Sequence, residues 1–435
     1  MEGAPRLIAN RRGPDCAESS TFLGLRHARF AIVRLALSEF FRGLKCDRFL
    51  MQQKHLVTQA LSALGIALFT ACSSSGSSAN ITPGGAGPDA VVEYVYVANF
   101  GSNDISAFKI GSNGALTTVT GSPFATGSKP NRPIIDPNGK FLYVANSGSN
   151  NVSGYSIDAS TGALTPVAGS PFAAGDDPSG MGITASGKFA YVANYSSAIL
   201  TGFSINASTG VLTTLATSPF KTGNNPLGVG VDPKAAFAYV ACRGGASIYA
   251  YKIKSTGALT LVTGSPFRAK ANPVLAVVDP SGTFVYVTDD GAAEISAYKI
   301  NTGTGALTPV SGSPFGAGTN PTGAAVDPAD RFAFVPNMGS RDLSVYSIAG
   351  STGALTPVTG SPFGTGTKPQ GPPGIDPQDK FVYVTNNGSS NVSAYSIGSS
   401  GALQPVSGSP FAAGTNPVGA ATCQTAGTRC LPPSL

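Results

Sequence analysis

One phrase, GALTPVTGSPF at residues 353–363, occurs seven times along the chain in close variants. Its closing phenylalanines fall at Phe124, Phe172, Phe220, Phe267, Phe315, Phe363 and Phe411, separated by steps of 48, 48, 47, 48, 48 and 48 residues. A period this regular means an array of like units, none of which can bury its apolar face alone. Whatever the chain does, it does on a repeating scaffold.

Each period has one order of parts. A short apolar run ends at an Asp-Pro turn, and an alternating aromatic and β-branched run follows, written KFLYVAN, KFAYVAN or KFVYVTN. After a Gly/Ser/Asn loop comes a third run such as NVSAYSI. A GAL turn then leads to a last run, LTPV, and the GSPF segment returns to the next unit. The period-2 patterning and turn residues predict four strands of five or six residues per unit. Four strands, seven times, predict an all-β seven-bladed β-propeller, four antiparallel strands to a blade. Pro166, Pro309, Pro357 and Pro405 fall in the fourth, outer-edge strand, where a missing N–H breaks no ladder. Pro133, Pro372 and Pro373 fall in the first strand, at the channel. The first unit begins at its second strand, EYVYVAN (93–99), and the last ends in a lone first strand, NPVGAATC (416–423). The C-terminal strand is therefore expected to complete the N-terminal blade and close the ring. Cys423 takes the place of the repeated Asp, and a disulfide to Cys430 would clip the closing strand.

The repeat occupies residues 91–430, with 431–435 as a tail. Residues 73–90 are a Ser/Gly/Pro tether. Residues 51–72, MQQKHLVTQALSALGIALFTAC, pair a short basic start with an apolar run and a small residue before Cys72. This segment resembles a bacterial lipoprotein signal. That resemblance implies acylation at Cys72 and a place at the cell envelope, in the periplasm or on the outer surface, with the lipid anchor as the sole membrane contact. Met51 then reads as the start. Residues 1–50 read as a spurious upstream extension, with a long n-region or a basic domain as the alternatives.

Past residue 72 the chain carries 18 Lys/Arg against 17 Asp/Glu, so the formal +6 of the whole shrinks to about +1. Nucleic acid loses its electrostatic support as a partner. His27 and His55 both precede residue 72, so the repeat region holds no histidine. Ser–His and Cys–His catalysis are excluded there, as is a histidine zinc site. No metal and no cofactor are expected, and a monomer is.

The strand motif YVAN at 96, 143 and 191, and YVTN at 383, resembles the YVTN-repeat propellers. Together with the DPxGK and GAL turns it is similar to lactonase-like seven-bladed propellers, among them 6-phosphogluconolactonase and carboxymuconate cyclase relatives. The resemblance spans nearly all of 91–425 and implies lactone chemistry by Arg, His and Glu at the channel mouth, of which no His can be carried over.

Candidate functional residues are those that break the repeat on the face opposite the Asp-Pro turns. Arg132 stands where the other units read Gly180, Gly228, Leu275, Gly323, Gly371 and Gly419. It is either a carboxylate clamp or a salt-bridge partner of Asp177. Asp289 and Asp290 pair carboxylates that could work as acid and base. Arg243 and Arg341 add positive charge to the rim, and Phe100 and Tyr195 could stack on a sugar. Two functions remain open. One is an envelope-tethered binding disk for a protein or glycan on the loop face. The other is a lactone hydrolase using Arg132 and an Asp.

Overall fold

The computed structural model describes residues 91–431, apart from Ala235 and Thr428. Residues 1–90, with the expected signal, Cys72 and tether, lie outside the described residues, as do 432–435 of the tail. The described chain forms seven antiparallel sheets whose inner strands all line one central channel. It is the expected seven-bladed propeller.

One blade shows the logic. Its strands run outward from the channel as Pro130–Ile135, Phe141–Asn146, Asn151–Ile157 and Leu164–Pro166. The outer run departs from the expected length: three residues pair, the GSP turn breaks the edge, and Phe172–Ala173 then pairs separately with the third strand. The prolines sit where their missing N–H predicted, at the end of the three-residue outer strand.

Three repeated contacts explain the repeated letters. At the Asp-Pro turn, Asp136 Oδ1 accepts the backbone N–H groups of Lys140 and Phe141 at 2.7 Å each, and Asp232, Asp279, Asp327 and Asp376 do likewise. At the other end, Asn146 Nδ2 donates to Ser153 Oγ (2.9 Å) and Asn151 Oδ1 (2.8 Å), tying the second strand to the third. Between blades, the Tyr143 hydroxyl donates to the Gly210 carbonyl of the next GAL turn (2.8 Å), and five other tyrosines repeat the bond. The glycine of that turn is required. At Gly353 φ is +74°, and a Cβ would lie 2.4 Å from the Phe284 ring of the preceding blade. GALTPVTGSPF thus recurs because each copy locks its blade to the one before.

Closure follows the same rules. Pro417–Ala426 pairs with Glu93–Asn99, from Glu93 opposite Gln424 to Asn99 opposite Pro417. Across the seam the Tyr383 hydroxyl reaches the Gly114 carbonyl at 3.1 Å. Cys423 is buried and disulfide-bonded. Arg429–Leu431 folds back on the closing strand with Cys430 opposite Thr425; the Cys430 side chain lies outside the described residues.

Candidate functional site

The channel is pinched by the ring of positions that Arg132 interrupts. A Cβ on Gly180 would lie 2.3 Å from the Leu227 carbonyl oxygen, and one on Gly371 would lie 2.6 Å from the Gly419 nitrogen. Adjacent inner strands meet there backbone to backbone, so glycine is enforced. Arg132 has a strained backbone there, with φ at 39°, a region that L-residues avoid and that Gly371 (82°) and Gly419 (76°) share. It and Leu275 are the ring's two side chains.

Above the ring lies a cavity of about 510 Å³, built in three tiers. The lowest tier is the inner-strand residue just before five of the seven ring positions: Asn131, Ser179, Leu227, Gln370 and Val418. Next come the left-handed turn residues Lys129 (φ 54°) and Asp177 (φ 55°). The rim is made by residues that follow the second strands: Phe100, Ser147, Tyr195 and Arg243.

Five of the expected site residues therefore meet in one mouth: Arg132, Asp177, Phe100, Tyr195 and Arg243. Asp177 also serves its turn. Its N–H donates to Asn150 Oδ1 (3.0 Å), and its Oδ2 accepts from Ser196 Oγ (3.3 Å). No salt bridge joins it to Arg132 among the described residues. The hydrogen bond that Arg132 makes runs from a guanidinium nitrogen to the Leu227 carbonyl, two blades on, at 3.4 Å. A guanidinium has five N–H donors, and most of these are unspent. Protein surrounds the half-buried side chain, and that burial pulls its pKa down to about 10, leaving it cationic at neutral pH. Lys129 Nζ lies 5.8 Å from the centre of the Phe100 ring, a cation held over the rim aromatic.

The other expected residues are placed elsewhere, for plain physical reasons. Asp289 occupies the position of Asn146 and its counterparts, fully buried between the second and third strands, where it accepts from Ser296 Oγ at 2.6 Å. Burial pushes its pKa up to about 7, the Ser296 bond acting the other way. Asp290 is taken by Arg243 (2.6 Å) and by Asn320 Nδ2 (2.8 Å). The two carboxylates are not an acid–base pair. Arg341 is exposed and does not line the mouth; its position (φ 62°) serves a loop turn. Cys242, at another of these Asn positions, is a buried free thiol.

Lys129, Asn131, Ser147, Ser179 and Gln370 were not singled out from sequence. The signal was present in register. The position before the ring reads Asn131, Ser179, Leu227, Val274, Thr322, Gln370, Val418, so polar residues fall in two pairs of adjacent blades, Asn131 with Ser179 and Thr322 with Gln370.

The fold is thus a closed ring of seven sheets with a polar, cation-bearing mouth. The family of seven-bladed lactonase propellers matches residues 88–174, 135–225, 214–322 and 313–418, and the chain belongs to that family. Among solved structures, a Bacteroides fragilis protein provisionally designated a 6-phosphogluconolactonase shares 18% identity, with a TM-score of 0.68, covering 78% of this chain and 99% of its own. The Pseudomonas aeruginosa periplasmic gluconolactonase shares 17% identity, with a TM-score of 0.66, covering 76% and 99%. A Lactobacillus plantarum protein shares 20% identity, with a TM-score of 0.63, covering 76% and 98%. At these identities the likeness is one of fold. Among curated proteins none matches the chain.

Proposed function

We propose that this propeller is a binding protein of the envelope, tethered through an acylated Cys72, whose channel mouth holds an acidic sugar. The carboxylate of a uronic or aldonic acid would sit on Arg132, with Lys129 adding charge. The hydroxyls would meet Asn131, Ser179 and Gln370, and the sugar face would lie against Tyr195 or Phe100. The observation that carries this reading is the Arg132 guanidinium, half-buried at the base of the mouth and without a carboxylate partner among the described residues. A half-buried cation with unspent donors calls for an anion, and its fork favours a planar carboxylate. Titration of glucuronate and of glucose into the purified protein tests it. Saturable binding of glucuronate with little or none of glucose is expected, and equal binding of the two sugars would refute it.

Family membership supports a second reading, lactone hydrolysis with Arg132 stabilising the oxyanion and Asp177 as base. The mouth offers this reading one free carboxylate, since Asp290 is spent on Arg243 and Asp289 is inside a blade. Turnover of sugar lactones in a pH-stat, lost in Arg132→Gly, would replace the binding reading with this one.

A further inference from the structure

Below the glycine ring the channel changes character. The space there is about 310 Å³ and is walled by the inner strands of all seven blades down to Pro137, Pro280 and Pro328 at the Asp-Pro turns. Its walls are Ile134, Met181, Val231, Val277, Val326 and similar residues, with Thr422 as the one uncharged polar side chain. Several of these, among them Ile134, Val231, Leu275, Val277 and Val326, are only partly buried, so aliphatic surface faces the open channel. Concave apolar surface of this kind beside a polar group is the lining that small-molecule pockets have.

One charged side chain lines this lower space, and it is Arg132 at the roof. Arg132 lines the upper mouth as well, so this residue stands at the border of two spaces of opposite polarity, its guanidinium bonded to the Leu227 carbonyl on the mouth side. The Thr422 hydroxyl is already given to the Ile375 carbonyl. What fits is a long apolar body with a single anionic end.

We infer that the lower channel binds a straight-chain fatty acid, alkyl chain along the aliphatic walls and carboxylate on Arg132. The ligand enters from the Asp-Pro face. At about 30 Å³ for each water-sized unit of liquid volume, the space holds roughly ten methylenes, which sets the length of the chain. This site is separate from the sugar site in the mouth and shares with it one residue, Arg132.

The test is calorimetric titration of decanoate and of decanol, its uncharged counterpart, into the purified protein. Wild type is expected to bind one decanoate per chain, at least about tenfold tighter than decanol, since a charge-assisted hydrogen bond contributes that much. Arg132→Gly, which restores the residue of the neighbouring blades, removes that preference and leaves both ligands bound alike. Val277→Phe fills the channel and abolishes binding of both, while glucuronate binding in the mouth persists. The inference is overturned by an absence of decanoate binding, by equal affinity of wild type for decanoate and decanol, or by binding that a folded Val277→Phe protein keeps unchanged. The wild-type comparison decides even where a variant does not fold. Glucuronate without decanoate binding sinks this inference alone, and decanoate without glucuronate binding sinks the sugar reading alone.

Discussion

Asp289→Asn should make the protein more stable, and most so at alkaline pH. In five other blades the equivalent residue is Asn99, Asn146, Asn194, Asn337 or Asn386, whose amide donates to a serine or threonine hydroxyl at 2.8–2.9 Å. Asp289 holds the same place with a carboxyl that burial pushes from its ordinary 3.8 to about 7, the facing Glu294 adding to the rise. The folded chain therefore grips this proton more tightly than the unfolded chain. Below pH 3.8 both states are protonated and nothing is lost. Between about 4 and 7 the unfolded state alone releases its proton, so stability falls as pH rises, and above 7 the loss is complete. At about 1.4 kcal/mol for each tenfold change in proton affinity, the full loss is about 4 kcal/mol. Taking an unfolding entropy of ~2.1 cal/mol/K per residue over about 340 residues, that corresponds to roughly 6 °C. Glu93, Asp330 and Asp379, each raised to about 6 by burial first, add slope up to about pH 7. Those three groups are common to wild type and variant, so the difference in slope between the two proteins from pH 6 to 7.5 reports Asp289. Calorimetric melting of wild type and variant at steps across that interval is the assay. The variant should melt higher at pH 7.5 and show a flatter dependence between 6 and 7.5. Equal slopes, or a variant that melts lower at pH 7.5, would refute the account of Asp289 as a buried structural carboxyl.

Other expectations follow from the same contacts. Phe334 stands where six blades have a tyrosine bonded to the next GAL turn, so Phe334→Tyr should restore the bond to Gly401 and add about 1 kcal/mol in denaturant unfolding. Gly353→Ala should cost about 2–4 kcal/mol in the same assay, from its positive φ and the collision with Phe284. Arg132→Gly should melt at or above the wild-type temperature, because glycine relieves the φ of 39° and no carboxylate loses its partner.

Most of the fold was legible because a propeller writes its architecture once per blade. The 48-residue step, the proline positions and the split first blade each have a single geometric meaning, and closure at Glu93–Asn99 follows from them. The candidate site was legible where a charged residue broke the ring at Arg132, since the other units carry glycine or leucine there. Reasoning by exception misled at Asp289. An acid replacing Asn looks like chemistry in the sequence, yet the position is structural in every blade and the carboxyl is buried. It failed differently at Lys129 and Gln370, where variation in a loop or at a strand entry carries no mark of facing the mouth. The apolar channel was hidden too, because Val and Ile in an inner strand read as core until closure of the ring leaves part of their surface on the channel.

The measurement that bears most directly on the central claim is the ratio of glucuronate affinities between wild type and Arg132→Gly, by isothermal titration at pH 7. The account predicts one site per wild-type chain and a loss of about 10- to 100-fold in the variant, the worth of a charge-assisted hydrogen-bonded pair. Unchanged affinity in a folded Arg132→Gly protein would contradict it, and would place the function of this propeller away from its channel mouth.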